Sequence, residues 1–101
     1  MLTFILERPI PPRFDVTDPA EVALHCRWAA DAYGEAGIVW FGGVATEDRM
    51  FSLIAADDAE APHRYCRSLG IDDAVLRRVV QPLGPTFAMP RGDPRFRPPV
   101  R

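Results

Sequence analysis

Two apolar runs, residues 38–45 and 50–56, flank the polar tetrapeptide Thr46-Glu47-Asp48-Arg49. Each run has strand length, and the tetrapeptide is long enough only to reverse the chain, so the spacing predicts an antiparallel hairpin of central strands. A helical pattern precedes this hairpin and another follows it. Short apolar runs towards both ends of the chain complete the order β-α-β-β-α-β. That order defines an α+β domain in which a four-stranded antiparallel sheet carries two helices on one face. At 101 residues and 48% apolar content the chain has room for one such core.

The first strand is predicted at Leu2-Thr3-Phe4-Ile5-Leu6, with Glu7-Arg8 able to extend it before Pro9 and Pro11-Pro12 break regular structure. Asp18 then fits an N-cap, Pro19 the first helical position and Glu21 the return partner of a capping box. The resulting helix is expected to run to about Tyr33, with Gly34 in the left-handed position that ends it. Val22, Cys26, Ala29 and Tyr33 follow helical spacing and form its expected sheet-facing stripe, while Leu24 and Trp28 make a second apolar flank.

Within the hairpin, Gly42-Gly43 removes side chains from the middle of a strand, which marks a bulge, a bend or the close approach of a ligand or partner backbone. The second helix is introduced by Asp57-Asp58-Ala59-Glu60 and ends near Leu69 and Gly70. Asp57 with Glu60 is one capping arrangement, and Pro62 at the first helical position is the other. Residues 74–80, with Val75, Leu76, Val79 and Val80, supply the fourth strand. The domain is assigned to residues 1–86 and a Pro/Arg-rich tail to residues 87–101, and from Gly84 to Arg101 prolines and glycines disfavour a further regular element. Phe87, Met89 and Phe96 are the tail's apolar anchors, and disorder is expected after about Pro90.

All 12 basic residues are arginine, and the formal net charge of -2 is unevenly distributed. Four of the arginines lie in residues 91–101 with a single aspartate, leaving the tail basic and the body acidic. An acidic body opposes association with phosphate, so nucleic acid is not an expected partner. No charged leader or membrane-spanning run is visible, and the cytoplasm is the expected location.

Chemistry-bearing residues are few. His63 and Cys66 lie three positions apart on the second helix, and imidazole nitrogen with thiolate sulfur suits nickel or zinc. They are the candidate metal ligands, to be completed by an acidic residue or a second subunit. Nucleophilic Cys–His catalysis has no accompanying motif, and no catalytic residue is assigned. Tyr33, Tyr65 and His25 are candidates for lining a small-molecule pocket, with aromatic packing as the equal alternative.

Trp40, the run Phe51-Ser52-Leu53-Ile54-Ala55-Ala56, the following Asp58-Ala59-Glu60-Ala61 and Gly70 together resemble the bacterial ferredoxin-like family designated domain of unknown function 4242, over residues 2–86. The resemblance implies a βαββαβ sandwich with sheet order 4-1-3-2, frequent pairing into a homodimer, and kinship with a branch similar to a nickel-binding protein. Ser52 stands where that family frequently has cysteine, and Cys66 stands near a helical histidine of the family. Neither Gly42 nor Gly43 supplies the tyrosine expected in the second strand. The expected function is therefore a dimeric metal- or small-ligand-binding module. A cofactor-independent isomerase or oxygenase and a protein-interaction module are the two alternatives.

Overall fold

The computed structural model describes residues 1–87. The chain forms β1 (Leu2–Pro9), α1 (Pro19–Glu35), β2 (Val39–Ala45), β3 (Arg49–Ala56), α2 (Ala61–Ser68) and β4 (Val75–Arg78), followed by a 3-10 turn at Pro85–Phe87. The sheet order is β2-β3-β1-β4, with every neighbouring pair antiparallel. Read from its other edge this is 4-1-3-2, the ferredoxin-like arrangement expected from the sequence. Among the described residues, the 3-10 turn is a regular feature where the prolines and glycines argued for none. Expectations about Met89, Phe96 and order beyond Pro90 lie outside the described residues.

Alternation along β1 divides the sheet into two faces. Phe4 and Leu6 are buried under the helices, whereas Ile5 between them is 39% exposed on the opposite face. Across the ladder Phe4 pairs with Ile54 and Leu2 with Ala56. Ala29 and Tyr33 of α1 and Tyr65 and Cys66 of α2 close over these residues to complete the core.

Asp18 caps α1 as expected, its carboxylate accepting from the Ala20 amide at 3.0 Å. Glu21 does not complete a capping box. Its carboxylate reaches past Asp18 and accepts from the Asp15 amide at 3.0 Å, tying the preceding loop to the first turn. The helix also runs two residues beyond its expected end. Gly34 is helical, and Gly37 (φ +71°) takes the left-handed position.

The later stop brings Ile38 into the core. The Ile38 amide donates to the Tyr33 carbonyl at 2.9 Å and the Gly37 amide to Gly34 at 3.1 Å, the paired closure of a Schellman motif. The second helix ends in the same way. Ile71 donates to Cys66 at 2.9 Å and Gly70 (φ +64°) to Arg67 at 3.2 Å. Its start is fixed not by Asp57 but by Asp58, whose carboxylate accepts from the amides of Glu60 (2.9 Å) and Ala61 (2.8 Å). β4 is shorter than expected because its ladder covers only Phe4 to Glu7 of β1, and Val80 lies 92% exposed beyond it.

Candidate functional site

Along the helix-covered face, side chains change character from one end of the sheet to the other. Successive β1–β3 pairs on that face are Leu2 with Ala56, Phe4 with Ile54, Leu6 with Ser52, and Arg8 with Met50. β2 extends the last three rows. Trp40 pairs with Ile54, Gly43 with Ser52, and Ala45 with Met50, after a register shift between Trp40 and Gly42. The rows nearest the chain start are filled, while the Ser52 and Met50 rows meet only Gly43 and Ala45 on β2.

Those rows form the floor of a cleft of about 500 Å³ between the N-terminal half of α1 and the β2–β3 hairpin. Val22, His25, Cys26 and Ala29 of α1 form one wall, and Phe14 and Val16 of the preceding loop stand at the mouth. Arg13, at φ +65°, turns the chain just before Phe14. Gly42 and Gly43 are required by the backbone. Gly42 has φ +113°, and a Cβ on Gly43 would overlap the Phe51 carbonyl oxygen. The bulge and the empty floor are thus one feature.

An aromatic column closes the inner end. Tyr33 stacks on Tyr65 at a ring separation of 4.4 Å and on Trp40 at 5.8 Å. Burial raises the Tyr33 phenol above its ordinary value, while the Ser52 and Tyr65 hydroxyls pull it back. Burial, then the neighbouring Tyr33, pushes Tyr65 up further. Both phenols are therefore protonated donors at neutral pH. The indole Nε1 of Trp40 is buried with no hydrogen-bond partner among the described residues.

Arg8 is the guanidinium that lines this cleft. Its Nε donates to the Pro9 carbonyl at 3.2 Å, and among the described residues it forms no ion pair with a carboxylate. It also borders a shallower depression of about 120 Å³ beside Asp72 and Asp73. Its positive charge depresses the pKa values of Tyr33, Tyr65 and Cys66 against the effect of burial. His25 stacks on Phe14 at 4.6 Å, and burial, followed by the Arg8 charge, lowers its pKa. Its imidazole is therefore neutral at neutral pH.

The sequence candidates fall in different places. Tyr33, Tyr65 and His25 all line the cleft, as do Gly42 and Gly43. Cys26, expected on the sheet-facing stripe, is exposed on the cleft wall because the N-terminal half of α1 stands off the sheet. Cys66 is buried in the core and burial raises its thiol pKa, whereas His63 on the same helix is exposed. These two side chains do not by themselves compose a metal centre. No group of three or more His, Cys, Asp or Glu residues suited to a metal ion occurs among the described residues.

Arg8 carries no sequence signal of a site, and Ser52 only its place where the resembled family frequently has cysteine. Alternation would have found Arg8, since it shares the apolar face of Phe4 and Leu6. No helix of the described residues is long and apolar enough to cross a membrane. The sequence matches no protein-family model and no curated protein.

Proposed function

We propose that this protein is a small-ligand-binding module whose ligand enters the cleft between α1 and the β2–β3 hairpin. The observation that carries this reading is the Gly42-Gly43 floor. Gly42 and Gly43 bring only backbone to the lining there, and the cleft measures about 500 Å³ in a chain this small. A mostly apolar pocket with a few convergent polar groups is the usual form of a small-molecule site. Here the apolar lining includes Trp28, Trp40 and Met50, and the polar groups are Arg8, Ser52 and the two phenols.

Pairing into a homodimer belongs to the same proposal. The sheet face away from the helices exposes Ile5, Val39, Leu53 and Val75, with Phe41 60% exposed at the bulge. A second copy laid against this face would cover it and leave the cleft, on the other side of the sheet, open.

Trp28 and Trp40 are the chain's two tryptophans and both line the cleft, so binding is readable from intrinsic fluorescence. Titration with the uncharged dye N-phenyl-1-naphthylamine is expected to give saturable quenching and one site per chain. It should also protect Cys26 from alkylation, and Cys26→Phe should abolish it by filling the cleft. Absence of saturable binding, or binding that leaves Cys26 equally reactive, would overturn the reading.

A further inference from the structure

Three features compete for a further role: the exposed apolar sheet face, the His63–Cys66 pair, and the charged end of the cleft. The first is already part of the assembly proposal, and the second places a buried thiol beside an exposed imidazole without further ligands. The third joins a cavity, a cation without an ion-pair partner among the described residues, and a set of neutral donors in one place.

On the reading of the cleft as a ligand site, we infer that its ligand is a small organic acid with a planar apolar body, its anionic group held by Arg8 at the end where Ser52, Tyr33 and Tyr65 converge. Arg8 lies two residues beyond Leu6 on the helix-covered face, and its row partner Met50 also lines the cleft. The nearest acid in sequence, Glu7, points to the other face and pairs with Arg49 at 3.1 Å. The guanidinium is therefore left without a carboxylate among the described residues, beside an apolar space.

A cation in such surroundings favours an incoming anion, and the planar fork of arginine matches a carboxylate in two-point contact. Ser52 and the two phenols add neutral donors, which accept no proton from the ligand and repel no negative charge. The stacked column of Trp40, Tyr33 and Tyr65 and the Phe14–His25 stack offer flat surfaces to a planar body. The neutral His25 does not compete with Arg8 as a second fixed charge. Charge, donors and flat walls together specify an aromatic or conjugated monocarboxylate over an amine, a sugar or a bare inorganic anion.

Paired probes test this: 1-naphthoate and its uncharged isostere 1-naphthamide, titrated calorimetrically into the full chain. Naphthoate is expected to bind about tenfold or more tighter, the usual advantage of a hydrogen bond to a charged group. Arg8→Gln should reduce that preference to near unity, chiefly by weakening naphthoate. The Arg8 Nε–H resonance should shift further downfield with naphthoate than with naphthamide, a readout that stands even where Arg8→Gln fails to fold. Equal affinities in the wild type, a preference that survives Arg8→Gln, or an unmoved Arg8 resonance would overturn the inference and leave the cleft as a binding site for neutral ligands. Binding of neither probe, and of no uncharged dye, would overturn the cleft reading and this inference with it.

Discussion

Tyr33 and Tyr65 lie face to face across the two helices, their rings 4.4 Å apart and within 10° of parallel. One comes from the last turns of α1 and the other from the middle of α2, so this contact fixes the helices relative to each other above the sheet. Both side chains are nearly buried, yet both form the inner wall of the cleft. The core and the site therefore share residues, and substitutions there separate stability from binding only when they preserve the rings.

Tyr33→Ala is expected to cost about 3 kcal/mol, the loss of a large core aromatic. Tyr33→Phe keeps the stack and should cost under about 1.5 kcal/mol, the scale of one hydrogen bond. Urea denaturation of both variants checks the order. Equal losses would show that the hydroxyl and not the ring stack supports the helix pair.

The same burial sets an alkaline limit. Burial raises the pKa of Cys66 from 9.0 and of both tyrosines from 10.0. In the unfolded chain these groups ionise first, so above pH 9 the native state holds more protons than the unfolded one and stability falls as pH rises. The contribution is complete below the unfolded values and is lost progressively through the raised native ones. His25 acts at the other end. Its pKa is lowered from 6.5, so its contribution is complete above that pH and is lost as pH falls through the native value. Urea midpoints followed across pH should therefore decline on both sides of a neutral plateau, and Tyr65→Phe should reduce the alkaline decline. An alkaline midpoint unchanged from the neutral one would contradict the assignment.

Element order was legible because each element announces itself locally: a short apolar run stopped by prolines for β1, a capped 3.6-residue period for α1, and paired apolar runs for the hairpin. Element ends were less so. Gly34 and Gly37 are both plausible stops for α1, and the choice falls to Gly37 because it delivers Ile38 to the core. The site was legible only in fragments. Gly42-Gly43, Tyr33, Tyr65 and His25 each carried a local hint, but their union depends on α1 standing off the sheet, which no periodicity reports. Arg8 illustrates the gap best. In sequence it is the charged end of a strand, and only the register with Met50 and Ser52 turns it into the cation of a cleft.

Gly43 and Gly37 separate two reasons for glycine. Gly37→Ala retains the space but forces a side chain into the left-handed region, at a cost of about 1 kcal/mol. Gly43→Ala drives a Cβ into the Phe51 carbonyl and must displace one strand from another, so its loss is expected to be larger, about 2 kcal/mol or more. Denaturant midpoints give the comparison directly. A Gly43→Ala variant as stable as wild type would mean that the bulge can relax, and the floor of the cleft with it.

The two cysteines should respond oppositely to a thiol reagent. Cys26 is exposed on the cleft wall, whereas Cys66 is 7% exposed and its thiol pKa is raised by burial. Ellman's reagent is expected to modify Cys26 in the native protein and to reach Cys66 only on unfolding, because the reactive species is an accessible thiolate. Mass mapping of the modified peptides distinguishes the two. Rapid native labelling of Cys66 would show that α2 opens from the sheet on the timescale of the reaction.

The outer sheet face makes the last prediction. Ile5 and Leu53 are cross-strand partners there, each 39% exposed, at the centre of the β1–β3 ladder where an isolated sheet would be wetted. An apolar patch so placed favours association with a matching surface, and a two-fold axis lets one patch serve both copies. Light scattering over a range of concentrations is expected to give the mass of a dimer. Leu53→Glu should shift the protein to monomer, since pairing would then bury a carboxylate on each side of the interface. Because residue 53 faces away from the helices, the variant's circular dichroism and its binding of N-phenyl-1-naphthylamine should stay as in the wild type. A wild-type monomer at every concentration would remove the homodimer from the proposal; a Leu53→Glu dimer would move its interface elsewhere on the molecule. In either case the cleft, on the opposite face, would keep its own test.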